Sequence, residues 1–451
     1  YHNYFPDDFE SIDPYYGTLE EYQDLIAAIH ARKMKFYMDM EIHYVTKAHP
    51  WFKNSFANPD SPFSEYIIYN GPGNTQPETI IFNLSELESY NGEVIEITTI
   101  DLYNEKVKAY LYDLFKYWVD PNQDGQFDDG VDGFRIDHMM DDLDWKGIRK
   151  NLFADFWAPL IRSLKAINPQ LKIIGEQANW KDLGSDYFEK GEVDMLFAFQ
   201  LRDAIVEMDK AKIETTMNAL FEATPPGKEQ LLLLENHDID RYASVVEQHP
   251  AKIKWGAALT VLSKGIPLIY YGQELGMLGR GGFEKFGQSD GNDIPRREAF
   301  EWYASVEGKG MALWYQDTGP WWTQTNLKAN DGISYEEQAQ DPHSLWRFYQ
   351  QLIALRKSDV AFTKGAQHFV DNSDPQLLTF CRWEGAHAFL LAFNTSAETL
   401  EAQAKKTAFP FAIPKQSSDQ VLGEQSATLA WEGDVVNIQL PAYGWACWKI
   451  K

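Results

Sequence analysis

The sequence predicts an α/β protein that contains a parallel sheet, a small insert and a C-terminal all-β domain. Over the first two thirds of the chain, short apolar runs alternate with amphipathic helical stretches, which is the pattern of repeated strand–helix units. Residues 46–100 interrupt this alternation with a stretch rich in Pro, Asn, Ser and Gly. From about residue 363 onward, alternating runs of β-branched and aromatic residues replace the helices.

Six apolar runs are predicted to be the parallel strands: residues 36–40, 131–137, 171–176, 195–199, 231–236 and 266–272. Amphipathic stretches at 19–32, 104–119, 152–167 and 253–262 precede or separate them and are the predicted helices. Strands at this spacing favour either a barrel or a doubly wound sheet. Because no Gly-x-Gly-x-x-Gly turn follows any of these runs, a dinucleotide-binding fold is not expected.

The remaining segments define the predicted domains. The insert contains short β-prone pieces at 66–69 and 94–99, and a loop-rich stretch covers 278–340. A helix predicted at 344–357 precedes β runs at 377–383, 388–394, 435–440 and 444–450. The predicted boundaries are 1–45 and 101–362 for the α/β part, 46–100 for the insert and 363–451 for the all-β domain.

The chain is strongly acidic. Its 451 residues include 41 Lys and Arg against 67 Asp and Glu, a net charge of −26. A field of this sign repels phosphate backbones and anionic lipid, so neither nucleic acid nor a membrane surface is an expected partner. No run of about 18 apolar residues is present, so no membrane insertion is expected. Aromatic residues reach 14%, which fits either rings that stack on sugars or a large core.

Two cysteines, Cys381 and Cys447, are too few for a disulfide framework or a multi-cysteine metal site. We expect two unlinked thiols, with a single bridge as the alternative. The chain opens at Tyr1 with no Met, within what reads as a loop. We therefore expect its start to be trimmed or incomplete, so a targeting segment could precede it.

Three predicted strands end in acidic residues. Asp137 closes the string Gly-Phe-Arg-Ile-Asp, Glu176 closes the next strand, and Asp238 follows Asn236 and His237. The carboxyl ends of the strands in a parallel barrel meet on one face, so these acids are expected to share a cleft. Two carboxylates about 5 Å apart can cleave a glycosidic bond with retention, one as nucleophile and one as acid/base. The alternative is that these acids only cap the helices that follow.

Arg135 supports the first interpretation. It stands two residues before Asp137, so both side chains point to the same face of the strand. A guanidinium at this position would keep Asp137 ionised, as a nucleophile requires.

Several strings resemble those of glycoside hydrolase family 13, the α-amylase family. The family strings G-F-R-x-D, N-H-D and G-x-P-x-x-Y-Y-G-x-E correspond here to residues 133–137, 236–238 and 265–274, and Glu176 corresponds to the strand-5 Glu. Residues 1–4, 12–13 and 16–18 are similar to the family's loop after strand 2, and residues 292–298 to its loop after strand 8. The resemblance runs through the whole chain in the family's order.

The resemblance implies a (β/α)8 TIM barrel with a small inserted B domain and a C-terminal β-sandwich domain. The predicted strands match strands 3–8 of that barrel, so strands 1 and 2 are expected before Tyr1. The resemblance assigns Asp137 as nucleophile, Glu176 as general acid/base and Asp238 as transition-state stabiliser. The residues that it implies in substrate binding are His2, Tyr4, Asp39, Tyr44, Arg135, His237, Asp293 and Arg297.

The implied activity is that of a retaining α-glucan hydrolase, which cleaves α-1,4-glucosidic bonds in starch, maltodextrins or related oligosaccharides by double displacement. The alternatives are a glucanotransferase, an α-glucosidase or a sugar isomerase of the same family, which would use the same carboxylates. A further alternative is a non-catalytic relative that only binds sugar. The polymer substrate, the acidic charge and the habit of the family together predict a secreted or periplasmic location.

The strand-3 string departs from the family pattern D-x-x-x-N-H. Residues 39–44 keep Asp39, but His43 replaces the Asn and Tyr44 replaces the sugar-binding His. That Asn is a usual calcium ligand in the family, so the family's calcium site is not expected here. Tyr44 is expected either to hydrogen-bond the sugar or to pack. Asp141 stands where the family often has His or Glu, so the reducing-side subsites are not carried over.

A separate metal signal lies in residues 120–128. Oxygen ligands fall at positions 1, 3, 5 and 9 of this segment and Gly125 at position 6, which is the spacing of an EF-hand calcium loop. Val131 stands at position 12 in place of the bidentate Glu, so Asp129 or Asp132 would have to substitute. The alternative is an ordinary acidic turn. We expect a structural Ca²⁺ held by Asp120, Asn122, Asp124, Gln126 and Asp128.

An aromatic cluster lies in the long stretch after the last predicted parallel strand. It comprises Trp314, Tyr315, Trp321 and Trp322. On the active-site face of a barrel, exposed rings of this kind could stack on glucose units. The equally favoured alternative is a hydrophobic plug under a long loop.

Overall fold

The computed structural model describes residue 2, residues 4–413 and residues 418–450. The chain forms two compact units. One comprises Tyr1–Phe197 and Ala223–Glu229, and the other comprises Ala198–Glu222 and Gln230–Lys451. None of the described helices is long and apolar enough to cross a membrane.

The described strands are β1 (Tyr37–Met40), β2 (Tyr44–Thr46), β3 (Glu86–Glu88), β4 (Val94–Thr99), β5 (Gly133–Met139), β6 (Lys172–Gln177), β7 (Met195–Phe197), β8 (Glu229–Leu232), β9 (Ile266–Pro267), β10 (Ala366–Phe369), β11 (Leu377–Glu384), β12 (His387–Asn394), β13 (Leu400–Lys405), β14 (Asp419–Gly423), β15 (Thr428–Glu432), β16 (Val435–Leu440) and β17 (Trp445–Lys449).

The described helices are α1 (Leu19–Ala31), α2 (Pro50–Ser55), α3 (Glu105–Val119), α4 (Ala158–Ile167), α5 (Ser185–Glu189), α6 (Phe199–Glu207), α7 (Lys210–Ala223), α8 (Tyr242–Val245), α9 (Pro250–Leu262), α10 (Pro320–Thr323), α11 (Tyr335–Gln338), α12 (Leu345–Ser358) and α13 (Val360–Thr363). A π-helical turn at Phe153–Trp157 leads into α4.

The largest α/β element is a parallel sheet with the strand order β1-β5-β6-β7-β8-β9. Its strands are those predicted from the sequence, which confirms the α/β fold class. β8 and β9 are shorter than predicted, because they end at Leu232 and Pro267. The chain turns sharply soon after β8, where Asn236 pairs with Ile239.

In the first unit, β5 lies between β1 and β6 and aligns their polar ends. Asp39 of β1 is the register partner of Arg135, which in turn pairs with Ile174 of β6. The outer side of β5 packs on the apolar face of α3, where the rings of Phe115 and Phe134 lie 4.7 Å apart. Burial of such a ring contributes roughly 2–3 kcal/mol to the stability of the fold. Because side chains alternate along a strand, burying Phe134 on one side turns Arg135 and Asp137 to the other.

The insert forms its own antiparallel sheet in the order β2-β4-β3. β2 begins at Tyr44, so the chain enters the insert almost directly from the end of β1. β4 has the bounds predicted for it. The predicted piece 66–69 forms isolated bridges instead of a strand, from Ile67 to Ile100 and from Tyr69 to Pro77.

The C-terminal part of the second unit is all-β, as predicted. Its two antiparallel sheets have the orders β10-β11-β12-β17-β14 and β13-β16-β15. Leu390 of one sheet and Val436 and Ile438 of the other share one apolar core, which makes the domain a sandwich. Cys381 on β11 and Cys447 on β17 are buried and unlinked, as expected.

The buried Arg382 of β11 connects this sandwich to the helices that precede it. Its Nη1 donates to the carbonyl of Leu262, the last residue of α9, at 2.9 Å. Its Nη2 donates to the carbonyls of Phe362 at 2.9 Å and Gly365 at 3.1 Å. The guanidinium is tolerated in the interior because it meets carbonyls that helix ends leave open.

Candidate active site

Arg135, in the middle of β5, contacts three carboxylates. Its Nη1 lies 2.7 Å from Asp39 Oδ1 and 2.6 Å from Asp137 Oδ1. Its Nη2 lies 2.5 Å from Glu176 Oε2. β1 and β6 supply Asp39 and Glu176, whereas Asp137 lies two residues further along β5 on the same face. Burial disfavours the guanidinium charge, but the three carboxylates outweigh it and raise the pKa of Arg135.

Asp137 is 7% exposed and ionised. Burial alone would raise its pKa, but Arg135 and His138 hold the pKa of this carboxyl well below its ordinary value. His138 Nδ1 lies 3.5 Å from Asp137 Oδ2. Interactions with the carboxyl groups of Glu41 and Glu176 lower the pKa of Asp137 further. An ionised carboxylate of this kind can act as a nucleophile.

Glu176 is the second acid of the site and is 1% exposed. Its Oε2 accepts from Arg135 Nη2 and, at 3.4 Å, from the backbone N–H of His138. Glu176 and Asp137 bond to the two terminal nitrogens of one guanidinium, so their carboxyl groups are neighbours. A retaining glycosidase requires a close pair of carboxyl groups.

The N-terminal segment lies against these acids. Tyr4 Oη donates to Asp39 Oδ2 at 2.7 Å and accepts from Arg135 Nη1 at 3.2 Å. The ring of His2 stacks on that of Tyr4, with centroids 5.5 Å apart. Burial, followed by the charge of Asp39, raises the pKa of Tyr4. Tyr1 and Asn3 of the predicted loop string lie outside the described residues.

The two residues that depart from the family's strand-3 string are buried. Tyr44 is 1% exposed, and its hydroxyl donates to Asp144 Oδ1. His43 is fully buried, with Nδ1 2.7 Å from Glu41 Oε1. Burial lowers the pKa of His43 to about 4, so its imidazole is neutral at pH 7. The fold thus gives both residues partners inside the protein.

A second polar group forms in the second unit. Asp238 lies in the turn after β8, where its backbone N–H donates to Asn236 Oδ1 at 2.9 Å. Arg297 donates from Nη2 to Asp238 Oδ1 at 2.9 Å and from Nε to the carbonyl of His237 at 3.0 Å. His237 Nε2 lies 3.1 Å from Asp238 Oδ2, and Asp293 Oδ2 lies 3.5 Å from Arg297 Nη2. These four predicted residues therefore form one network.

Some polar partners were not among the residues predicted from the sequence. In the second unit, Arg296 bonds through Nη1 to Asp293 Oδ1 at 2.7 Å and through Nε to Asp240 Oδ1 at 2.9 Å. In the first unit, Glu41 and His138 each place a ligand atom within 4.8 Å of the carboxyl group of Asp137. The sequence signal for Glu41 is its position between the apolar residues Met40 and Ile42, since a buried charge needs a partner.

Residues 1–365 match the family model of the α-amylase catalytic domain. The chain belongs to the α-amylase family. Membership confirms that the protein is a glycoside hydrolase of family 13, and it confirms the TIM-barrel class with a C-terminal β domain.

Individual members of the α-amylase family are distant in sequence. The chain is 26% identical to Alpha-amylase 3 of Dictyoglomus thermophilum, over 84% of this chain and 71% of that protein. It is 25% identical to the oligo-1,6-glucosidase of Heyndrickxia coagulans, over 87% of this chain and 82% of that protein. The structure of an alpha-amylase from H. orenii superposes with a TM-score of 0.77 at 22% identity, over 100% of this chain and 87% of that one.

The predicted calcium loop of this α-amylase family member is a turn stabilised by its own side chains. Asp120 Oδ2 accepts from the N–H of Gly125 at 3.0 Å, and Asn122 Oδ1 from that of Asp124 at 2.9 Å. Gln126 Nε2 donates to Asp124 Oδ2 at 3.2 Å. Across the described residues, the acids Asp120, Asp124 and Asp128 do not bring three ligand oxygens within 4.8 Å of one another.

Two oxygens of the loop suit a cation. Asp120 Oδ1 and Asp129 Oδ1 are buried and have no hydrogen-bond partner. Burial raises the pKa of Asp129, and the charge of Asp120 adds to this effect. Asp132 is instead bonded to Lys35 Nζ at 2.5 Å and to His30 Nε2 at 2.8 Å. Of the two predicted substitutes at position 12, only Asp129 keeps an oxygen for an ion.

The aromatic cluster after β9 is partly buried. Tyr315 is fully buried and Trp321 is 5% exposed. Trp314 and Trp322 are half-buried and pack edge-on against Tyr315, with ring centroids 5.0 and 5.7 Å away. Around Tyr315 and Trp321 the segment therefore packs as a hydrophobic plug, which was one of the two expectations, and these two rings are not exposed for stacking on sugars.

Proposed function

We propose that this protein is a retaining α-glucan hydrolase that cleaves α-1,4-glucosidic bonds in starch, maltodextrins or related oligosaccharides. The observation that carries the proposal is the pair Asp137 and Glu176, bridged by Arg135 at 2.6 and 2.5 Å. The guanidinium holds the pKa of Asp137 well below its ordinary value. A double displacement requires an ionised nucleophile beside a second carboxyl group that supplies the proton.

The first step forms a covalent intermediate. Asp137 attacks the anomeric carbon while Glu176 gives its proton to the glycosidic oxygen, the bond to the leaving sugar breaks, and a glycosyl ester of Asp137 forms. In the second step Glu176 removes a proton from water, and the water oxygen attacks the same carbon. The ester bond breaks and the Asp137 carboxylate returns. Arg135 stabilises that carboxylate at both ends of the cycle.

Asp238 is the third acid in this proposal. The resemblance gives it the role of stabilising the transition state and binding hydroxyls of the sugar. In the second unit, Arg297 at 2.9 Å and His237 at 3.1 Å fix its carboxylate. A rigid carboxylate loses little entropy when substrate arrives, which is what a stabilising group needs.

A second candidate is hydrolysis of α-1,6 bonds. The relative from Heyndrickxia coagulans carries the name oligo-1,6-glucosidase and is nearly as similar to this chain as Alpha-amylase 3 is. Transfer to a sugar hydroxyl is a further alternative, because it needs the same carboxylates and differs only in the acceptor.

Product analysis over time tests these candidates. Maltoheptaose, starch and an isomaltooligosaccharide are incubated with the protein and separated by chromatography, with Asp137→Asn as the blank. Accumulating short products from maltoheptaose support α-1,4 hydrolysis. Cleavage of the isomaltooligosaccharide alone supports the α-1,6 candidate, whereas products longer than the substrate indicate a transferase. If no substrate changes in length, the proposal is wrong.

We also propose a structural Ca²⁺ in the loop 120–129. Its support is the EF-hand spacing together with the partnerless buried oxygens of Asp120 and Asp129. The exposed side chains of Asn122, Asp124 and Asp128 would turn toward the ion on binding. A secreted or periplasmic location stays a prediction, supported by the acidic charge and the proposed polymer substrate.

A further inference from the structure

Glu41 is a buried acid that takes no part in the proposed double displacement. It follows β1 directly, and its side chain is 1% exposed. Its Oε1 accepts from the backbone N–H of His43 and lies 2.7 Å from His43 Nδ1. Its Oε2 is buried and has no N–H or hydroxyl partner. The family string D-x-x-x-N-H leaves this position unspecified, so the resemblance assigns it no role.

The carboxyl group of Glu41 meets that of Asp137. Glu41, Asp137 and His138 each bring an oxygen or a ring nitrogen within 4.8 Å of the other two. Both carboxyl groups are buried at this distance. Two buried carboxylates this close repel each other when both are ionised, which favours a proton on one of them.

The surroundings place that proton on Glu41. Asp137 has the guanidinium of Arg135 at 2.6 Å, whereas the imidazole bonded to Glu41 is the neutral one of His43. Burial, followed by the charge of Asp137, raises the pKa of Glu41 well above its ordinary value. Further ionisable groups around this pair are Tyr4, Asp39, Tyr44, His138, Asp144 and Glu176.

We propose that Glu41 is a positioning residue that stays protonated and donates a hydrogen bond to the Asp137 carboxylate throughout the reaction. The proposal rests on the proposed function of Asp137 as nucleophile. A donated hydrogen bond stabilises a carboxylate more than an ester. It therefore assists the departure of Asp137 from the sugar in the second step and slows its attack in the first. The proton remains on Glu41, so the stoichiometry of the reaction does not change.

The test compares Glu41→Gln, which keeps a neutral donor of the same size, with Glu41→Leu, which removes it. The substrate is an aryl α-maltooligoside with a good leaving group, chosen so that the second step limits kcat. We expect Glu41→Gln to keep kcat within about threefold. Glu41→Leu should keep the burst of the aryl alcohol that the wild type shows, lower kcat about tenfold, and move the acidic limb of kcat/KM to higher pH.

Melting temperatures of both variants establish that they are folded. A Glu41→Gln variant as impaired as Glu41→Leu would overturn the proposal, because the donor alone would then not explain the effect. A folded Glu41→Leu variant with the kcat and pH profile of the wild type would overturn it as well.

Infrared difference spectroscopy provides a readout that does not depend on turnover. At pH 7, the wild type minus Glu41→Gln difference should contain the carbonyl band of one protonated, buried carboxylic acid. The matched control is Glu301→Gln, which removes another buried acid, with a pKa of about 8, and should leave the kcat/KM profile unchanged.

The activity assay and the infrared band distinguish a failure of the proposed function from a failure of the proposal on Glu41. If the wild type hydrolyses no α-glucan, the proposed function fails while the band still reports the protonated Glu41. If the wild type is active and the Glu41 band is missing, the positioning proposal alone fails.

Discussion

Arg135 Nη2 lies 2.5 Å from Glu176 Oε2, so the guanidinium that holds the proposed nucleophile Asp137 also holds the proposed acid/base. Because Oε2 of Glu176 is bonded to Arg135, we expect Oε1 to carry the proton for the leaving sugar. One cation thus orients both carboxyl groups, and its removal should affect both chemical steps. This relationship makes Arg135 and its partners the most informative positions to change.

Asp137→Asn should lower kcat by at least about 10³-fold, because an amide cannot form the glycosyl ester. Binding of a maltooligosaccharide should change little, since the shape of the side chain is kept. Reducing-sugar release and calorimetric binding measure the two effects. The control is Asp113→Asn, on the exposed face of α3, which should match the wild type. Turnover by Asp137→Asn near the wild-type rate would refute the assignment.

Arg135→Lys should move the acidic limb of the kcat/KM profile to higher pH and lower kcat about 10²-fold. A lysine ammonium cannot hold three carboxylates in the fork geometry of a guanidinium, so the pKa of Asp137 should rise toward its ordinary value. Arg149→Lys is the control, because it loses a paired contact with Asp101 that lies outside this group of acids. An unchanged pH profile in Arg135→Lys contradicts the prediction.

A chelator should lower the melting temperature by a few degrees, because an ion bound only by the folded protein stabilises it. Calcium titrated back should restore the value. In Asp129→Ala the chelator should have no effect, since this variant removes one of the two partnerless loop oxygens. Equal melting temperatures of the wild type with and without chelator would exclude the Ca²⁺ site.

Glu301→Gln should stabilise the protein at alkaline pH. Burial, followed by the charges of Asp331 and Glu298, raises the pKa of Glu301 to about 8. A carboxyl with a raised folded-state pKa contributes stability that is complete below its unfolded value and is lost as the pH rises through about 8. The neutral amide keeps that contribution at every pH.

Thermal melting from pH 5 to pH 9 measures this effect. Relative to the wild type, Glu301→Gln should gain stability between these limits, whereas the exposed Glu307→Gln should follow the wild type throughout. A stability difference for Glu301→Gln that is the same at pH 5 and pH 9 would show that the carboxyl does not titrate as expected.

The sequence predicted the strands of the parallel sheet because each is a short apolar run next to an amphipathic helix. It also predicted the shared face of Arg135 and Asp137, because side chains two apart on a strand point the same way. Strand ends were less predictable. β8 stops at Leu232 although apolar residues continue to Leu234, because the turn at Asn236 decides where pairing ends.

Contacts between distant residues could not be predicted from local pattern. The hydroxyl of Tyr44 binds Asp144, one hundred positions away, and Asp132 binds Lys35 and His30 rather than the loop beside it. β13 was missed because its buried positions are alanines, Ala402 and Ala404, which give only a weak alternation of hydrophobicity.

Arg382 has a consequence for how the chain can be shortened. The match to the α-amylase catalytic domain ends at residue 365, yet the guanidinium of Arg382 lies beyond that point and binds the carbonyls of Leu262 and Phe362 before it. A chain cut at 365 would leave these carbonyls without their partner and would expose the apolar surface beneath β11. The end of the family match at residue 365 is thus not the end of the folding unit, because Arg382, further along the chain, is needed to complete the packing before it.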